Sequence, residues 1–246
     1  MTLDSKPTRE SKNLILRFLA PSAMQSIDQH LERVELLAGQ VIYDMNAPIR
    51  YVYFVEKGLV SLVKSMKDGR TVEVGVVGID GMTGVSGLLG IGTAAFESVV
   101  QIPGAAHRIR LNILHREAEN HEPLRTSLLR YAHFVLSAVA QTAACHRLHS
   151  LEERCCRWLL VAHDNAQSDS FPLTHQFLAI MLGVGRSYVS VTASALRRQG
   201  LIRYARGWIT ITDRSGLEAA ACECYGALRD DFEHLFGTIG RKRQNR

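Results

Sequence analysis

The sequence predicts an α+β chain in three parts: an antiparallel β-roll of the jelly-roll-like, double-stranded β-helix kind, then a long helix, then a winged helix-turn-helix. Three observations carry this prediction. Eleven of the 19 glycines fall between Gly39 and Gly104, the density expected where many tight turns join short strands. Leu124, Leu128, Tyr131, Val135, Ala138, Thr142 and Cys145 step by alternating four and three residues, the repeat of a helix packed along one face. The stretch "LAIMLGVGRSYVSVTASAL", residues 178–196, reads as two short helices broken at Gly183.

Composition narrows the class. The 246 residues are 46% apolar and 22% charged, ordinary for a folded chain with one or two cores. No run of about 18 uncharged apolar residues is present to span a bilayer. The opening "MTLDSKPTRESKN" has no apolar signal core behind it, so a cytoplasmic protein with no membrane partner is expected. The five cysteines, Cys145, Cys155, Cys156, Cys222 and Cys224, are an odd set in a chain too large to need disulfide staples. Reduced thiols are expected. Cys145 and His149 lie four apart and share a helical face, but Cys145 also continues the apolar series. Cys155-Cys156 and Cys222-x-Cys224 would point apart on a helix, so no metal site is expected.

Element by element, residues 13–34 have helical spacing around Pro21, and proline followed by serine marks a fresh helix start. From about residue 35 to 110 the chain turns to β-prone runs, "VYFVEKGLVSLVKS" and "TVEVGVV", punctuated by Gly39, Gly58 and the Asp68-Gly69 hairpin signal. Residues 1–120 are expected to form the β-roll domain, 121–149 the long helix and 150–246 the winged helix-turn-helix domain. The 3.5-residue repeat of the long helix favours a seam between two protomers, and burial against its own roll is the alternative. Ser150, with Glu153 three residues later, is a capping box that starts a further helix.

In the third part Thr174 caps a first short helix, and Gly183 supplies the turn, where positive φ is cheap for glycine. The second helix starts near Arg186 and turns Val189, Ala193 and Leu196 inward. Arg186, Ser187, Tyr188, Ser190 and Val191 are left on the other side, in helix-turn-helix register. "RRQGLIRYARGWITITD" then reads as a helix end, a strand, a turn and a second strand: a wing offering Arg203 and Arg206 to phosphates, with Trp208 packed at its base. Between Phe171 and Arg214 six arginines face one acid, Asp213, so this window alone carries the chain's net +5 and suits a polyanion. The tail "RKRQNR" adds to it. An enzyme is not expected, because "GVSGLLG" matches neither a phosphate loop nor a Gly-x-Ser-x-Gly elbow.

These motifs, in this order over nearly the whole chain, resemble the bacterial Crp/Fnr family of transcription regulators. The resemblance implies a sequence-specific, homodimeric reader of double-stranded DNA, with a pseudo-palindromic operator and RNA polymerase as its partner at the promoter. It places a base-reading arginine on Arg186, at the head of a recognition helix over residues 186–199. The family's neighbouring glutamate and second reading arginine become Ser187 and Val191, so a different operator is implied. It also brings Thr174, His175 and Gln176 to phosphate. In the effector domain the nucleotide cassette falls on Gly84, Val85 and Ser86 and on Glu97 and Ser98, with Thr142 reaching in from the long helix. Val85 replaces the ribose-binding acid and Glu97 stands near the phosphate-binding arginine, which argues against cAMP. No cysteine precedes Cys145, which leaves the family's N-terminal iron-sulfur ligands without a counterpart, and His107 offers only a weak analogy to a haem ligand. No cofactor is therefore expected; the effector is an unidentified small molecule or none. A sensor module acting mainly through protein partners is the alternative reading.

Overall fold

Alternating apolar residues and glycine punctuation between Glu32 and Arg110 fold into a single antiparallel sheet that curls on itself. The computed structural model describes residues 11–238; the basic tail at residues 241–246 and the first ten residues lie outside it. Two small helices come first, α1 (Leu14–Phe18) and α2 (Pro21–Asp28). Asn13 caps α1, accepting from the Leu16 amide at 3.2 Å, and its Nδ2 donates to the carbonyls of Val55 and Gly81, both at 2.8 Å. That one buried amide ties the leading helices to the sheet.

The sheet is made of β1 (Glu32–Leu36), β2 (Val41–Tyr43), β3 (Tyr51–Ser65), β4 (Thr71–Val77) and β5 (Glu97–Arg110), with a single helical turn, α3 (Val85–Leu88), between β4 and β5. Strand order is β1-β5-β3-β4, and β2 pairs with the far end of β5. The register of β3 against β5 slips between Val55 and Val60. There Gly58 holds φ +92°, and a Cβ on Gly104 would overlap the Lys57 carbonyl, so only glycines let the two long strands bend past each other. The β3–β4 hairpin turns at Gly69 with φ +83°.

After α4 (Leu111–Asn120) the long helix α5 (Glu122–Leu148) runs 27 residues, about 40 Å. Here one expectation is corrected. Leu124, Leu128 and Tyr131 are buried in the chain's own core beside Ile15, Phe54 and Ile109, and Cys145 is buried beside Cys222 and Cys224. Val135 packs against the same core, while Ala138 and Thr142 line an internal cavity. The expected protomer seam is therefore the face α5 lays on its own roll and C-terminal segment, because a four-three step marks a packed face without naming the partner.

The chain continues through α6 (Leu151–Ala166), β6 (Ser170–Pro172), α7 (His175–Leu182), α8 (Arg186–Arg198), β7 (Ile202–Ala205), β8 (Trp208–Ile211), α9 (Arg214–Ala220) and α10 (Cys224–Phe236). The Ser150 capping box forms in full. β6, hidden in the polar stretch "SDSFPLT", adds a third strand to the wing by pairing with β8. α10 bridges the two halves: Tyr225 donates to Asp164 and accepts from Arg214, both at 2.7 Å, while Phe232 is buried among the N-terminal core residues, edge-on to Phe134 at 5.4 Å and 6.3 Å from Phe18. Among the described residues no single helix is long and apolar enough to cross a membrane.

Candidate nucleic-acid interface

The turn between α7 and α8 is built from local rules. Thr174 caps α7 through its hydroxyl, which accepts from the Phe177 amide at 3.2 Å. Gly183 closes α7 in the left-handed region at φ +64°, and the helices meet at 105°. Val189, Ala193 and Leu196 of α8 pack on Leu178, Met181 and Leu182 of α7. This leaves Arg186, Ser187, Tyr188 and Val191 in solvent, with Tyr188 and Val191 65% and 69% exposed. Arg186 opens a helix whose first turn contains no acid. A cation at the positive end of a helix dipole costs about 0.3 to 1 kcal/mol, so the folding of α8 is not helped by Arg186 there.

Two of the expected DNA contacts are engaged inside the domain. Ser190 is half-buried; its hydroxyl donates to the Arg186 carbonyl at 3.1 Å and pairs with His175 Nδ1 at 2.9 Å, with the ring nitrogen donating. The His175 ring is stacked on Tyr204 at 4.4 Å. Burial, then the charge of Arg186, lowers the His175 pKa, which keeps the ring neutral. His175 and Ser190 thus tie α7, α8 and the wing together. Thr174 and Gln176 remain exposed at the head of α7.

At the wing tip Arg206 and Gly207 hold φ +49° and +79°, the two positive values of a tight type I′ hairpin. Arg203 and Arg206 stand exposed beside it. Trp208 is 53% exposed, contrary to the expected packing at the wing base, and stands opposite Pro172 of β6 in the wing's sheet. Of the six arginines in this window Arg214 is spent internally, paired with Asp164 at 2.8 Å and Glu218 at 3.0 Å. The other five make no ion pair among the described residues and are exposed.

The winged helix leans on the roll through a polar joint. Glu73 of β4, fully buried, accepts from Trp158 Nε1 at 2.9 Å and from the Ser61 hydroxyl at 2.5 Å. Burial outweighs these bonds and pushes its carboxyl up to about 7. Arg154 of α6 donates to the Leu182 carbonyl at 3.0 Å and so grips the end of α7.

The nucleotide cassette is closed. Gly84, Val85, Ser86 and Ser98 do line one cavity, with Tyr43 and Thr83, but its volume is about 20 Å³, room for one water. The Tyr131 hydroxyl of α5 donates to the Met82 carbonyl at 2.7 Å across its back. Glu97 does not line this cavity, and neither does Thr142. Thr142 lies on a second cavity of about 390 Å³ between β4, α5, α6 and α10, walled by Glu73, Asp80, Arg157, Asp164, Asn165 and Arg229 among others. No motif marks this cavity, since four elements far apart in the chain make it.

The cysteines also differ from expectation. Cys222 precedes α10 and Cys224 opens it, so the two are not placed by helical spacing, and both turn toward Cys145 and His149. Cys155 and Cys156 are buried in α6, where burial pushes the Cys156 thiol up to about 12.

Residues 33–121 match the cyclic nucleotide-binding domain and residues 153–220 the Crp-like helix-turn-helix domain. A comparison with curated proteins found no match. Among solved structures, a Crp/Fnr-family transcriptional regulator from Eubacterium rectale is 20% identical, with 84% of this chain and 96% of that one covered at a TM-score of 0.64. TTHB099, a CRP-family regulator of Thermus thermophilus, is 24% identical over 76% and 96% of the two chains, TM-score 0.63. The c-di-GMP-responsive regulator CLP of Xanthomonas campestris is 17% identical over 79% and 100%, TM-score 0.61.

Proposed function

We propose that this chain, which belongs to the Crp/Fnr family of transcription regulators, acts in the cytoplasm as a homodimer that reads a pseudo-palindromic site on double-stranded DNA through α8 and works there with RNA polymerase, without catalysing a reaction. The observation that carries the reading is the outer face of α8. Arg186, Ser187, Tyr188 and Val191 are solvent-facing, rigidly backed and free of internal hydrogen-bonding duties. Arginine can bond guanine O6 and N7 together, while Val191 offers an apolar contact to a thymine methyl. Thr174, Gln176, Arg203 and Arg206 flank that face and would set register on phosphates.

The second protomer meets the face of α5 opposite to the buried one. Leu129, His133, Leu136, Ala140 and Ala143 step by four, three, four and three, and all are exposed. Leu136 is 69% exposed, and this stripe is the helix's only unpartnered apolar row among the described residues. The reading requires two-fold pairing along it to bring the two α8 helices about one DNA turn, 34 to 36 Å, apart.

A cassette with room for one water does not admit cAMP, since small-molecule pockets run to about 300 Å³ or more. The cavity at the joint of roll, α5 and α6 is large enough and polar enough to take an effector. Binding there would bias the angle between the dimer helix and the DNA-reading half.

Selection of bound sequences from a random duplex library, using purified protein with no added ligand, tests the reading. A two-fold motif with half-site centres about 10 base pairs apart is expected. Non-specific binding without enrichment would reject a reader that is competent on its own.

A further inference from the structure

We propose that Cys145, His149, Cys222 and Cys224 form a tetrahedral site for a thiophilic divalent cation, with Zn²⁺ the best fit, at the junction between α5 and the C-terminal segment. The four donor atoms, three Sγ and one ring nitrogen, all lie within 4.8 Å of one another. Cys145 and His149 come from the last turn of α5 and its cap, four residues apart on one face. Cys222 and Cys224 come from the turn into α10, beyond the residues that match the helix-turn-helix domain, so this half of the site is additional to that domain.

The spacing is that of a coordination shell. Cys145 Sγ and Cys222 Sγ are 3.6 Å apart, and Cys224 Sγ and His149 Nδ1 are also 3.6 Å apart. A tetrahedral Zn²⁺ with sulfur at about 2.3 Å and nitrogen at about 2.0 to 2.1 Å has S···S edges of about 3.8 Å and S···N edges of about 3.6 Å. Two of the six edges already have the length of a closed shell, and the remaining ones, all under 4.8 Å, need to contract by no more than about 1 Å to close on an ion.

The surroundings are those of a ligand set and not of a thiol pair. His149 turns Nδ1 inward and places Nε2 3.0 Å from a carboxylate oxygen of Glu223. A carboxylate taking the outer N–H leaves the inner lone pair aimed at the cation. Gln141 Nε2 donates to Cys224 Sγ at 2.9 Å, a bond that a thiolate strengthens. All three cysteines are buried, and three thiols with an imidazole suit Zn²⁺ and exclude Mg²⁺ or Ca²⁺, which take oxygen. A disulfide between Cys145 and Cys222 would use neither Cys224 nor the inward ring nitrogen.

Binding displaces three thiol protons to solvent and leaves three thiolates and a neutral imidazole on the cation. The bound ion would staple α10 to α5 one residue before Ser150, where the chain passes into α6.

The test uses the full-length protein purified in the presence of a thiol-free reductant, exposed to Zn²⁺ or Co²⁺ and desalted. About one ion per chain is expected by elemental analysis. The Co²⁺ form should show thiolate charge-transfer absorption and the strong visible bands of a tetrahedral site. Cys222→Ser and Cys224→Ser should lose the ion, whereas Cys156→Ser, outside the cluster, should keep it. Glu223→Gln leaves every ligand in place and should weaken retention against a chelator by about 10 to 100-fold. Reduced wild-type protein that holds no ion, an octahedral Co²⁺ spectrum without charge transfer, or Cys222→Ser and Glu223→Gln proteins as retentive as wild type would each overturn the site. So would a Cys145–Cys222 disulfide that re-forms on removal of reductant and is unaffected by prior Zn²⁺.

Discussion

The outer face of α8 and the pocket under α3 are both rimmed by small residues, serines and a glycine turn, yet they end in opposite states. At α8 the helix is backed by Val189, Ala193 and Leu196, and none of the described residues covers Arg186, Tyr188 or Val191. At α3 the chain fills the pocket itself: Tyr43 bonds the Tyr51 carbonyl and Thr83, and Tyr131 bonds Met82, leaving about 20 Å³. A binding surface has to keep its groups unpaired, and only one of these two surfaces does. The outer face of α8 stays open among the described residues, while the roomier cavity lies at the joint where Glu73, Trp158 and Thr142 meet.

The largest effect is expected from separating the protomers. Leu136→Asp puts a charge in the exposed row of α5, and it should sediment as a monomer and lose operator affinity by more than about 100-fold, as two half-sites are no longer held together. Leu128→Asp instead strikes the chain's own core and should lower thermal stability; a stably folded Leu128→Asp monomer would return the seam to the inner face.

Glu73 sharpens the contrast from the sensing side. Its carboxyl ordinarily ionises at 4.5 and here only at about 7, so over that span the folded state keeps a proton the unfolded chain has released. Stability should be full below about pH 4.5 in this respect and fall as pH rises to 7. Glu73→Gln, which retains an acceptor for Trp158, should flatten that slope and add about 3 kcal/mol at pH 8 in denaturant titrations. A slope unchanged by the substitution would remove Glu73 as its source.

Smaller effects belong to the wing and the cassette. Arg206→Ala should weaken binding equally on all sequences and lower the salt slope by about one unit, as loss of a single phosphate contact requires. An unaltered slope takes the wing off the DNA. Cyclic AMP at millimolar concentration should leave the melting temperature where it was, and a rise of several degrees would show that the cassette opens.

How much of this was legible in the sequence depended on the range of the interactions. The helix-turn-helix register, the Asp68-Gly69 hairpin and the Ser150 cap are set by residues within about six positions of each other, and all three form as read. The inner face of α5 was seen as a packed face, but its partner is chosen by the roll and α10, about 100 residues apart from one another in the chain. His175 and Ser190 looked available because their spacing across the turn hides the bond between them. Cys222-x-Cys224 reads as helical spacing in the sequence because Glu223, the cap residue, bonds no helix amide through its side chain and carries no start signal.

The most direct test of base reading by α8 compares wild type with Arg186→Ala on the selected site and on every single-base-pair variant of it. Arg186→Ala should lose about 1 to 3 kcal/mol on the selected site and no longer discriminate at one base pair in each half-site, with discrimination elsewhere intact. Weakening by one common factor across all variants would make Arg186 a phosphate contact and contradict reading by this helix.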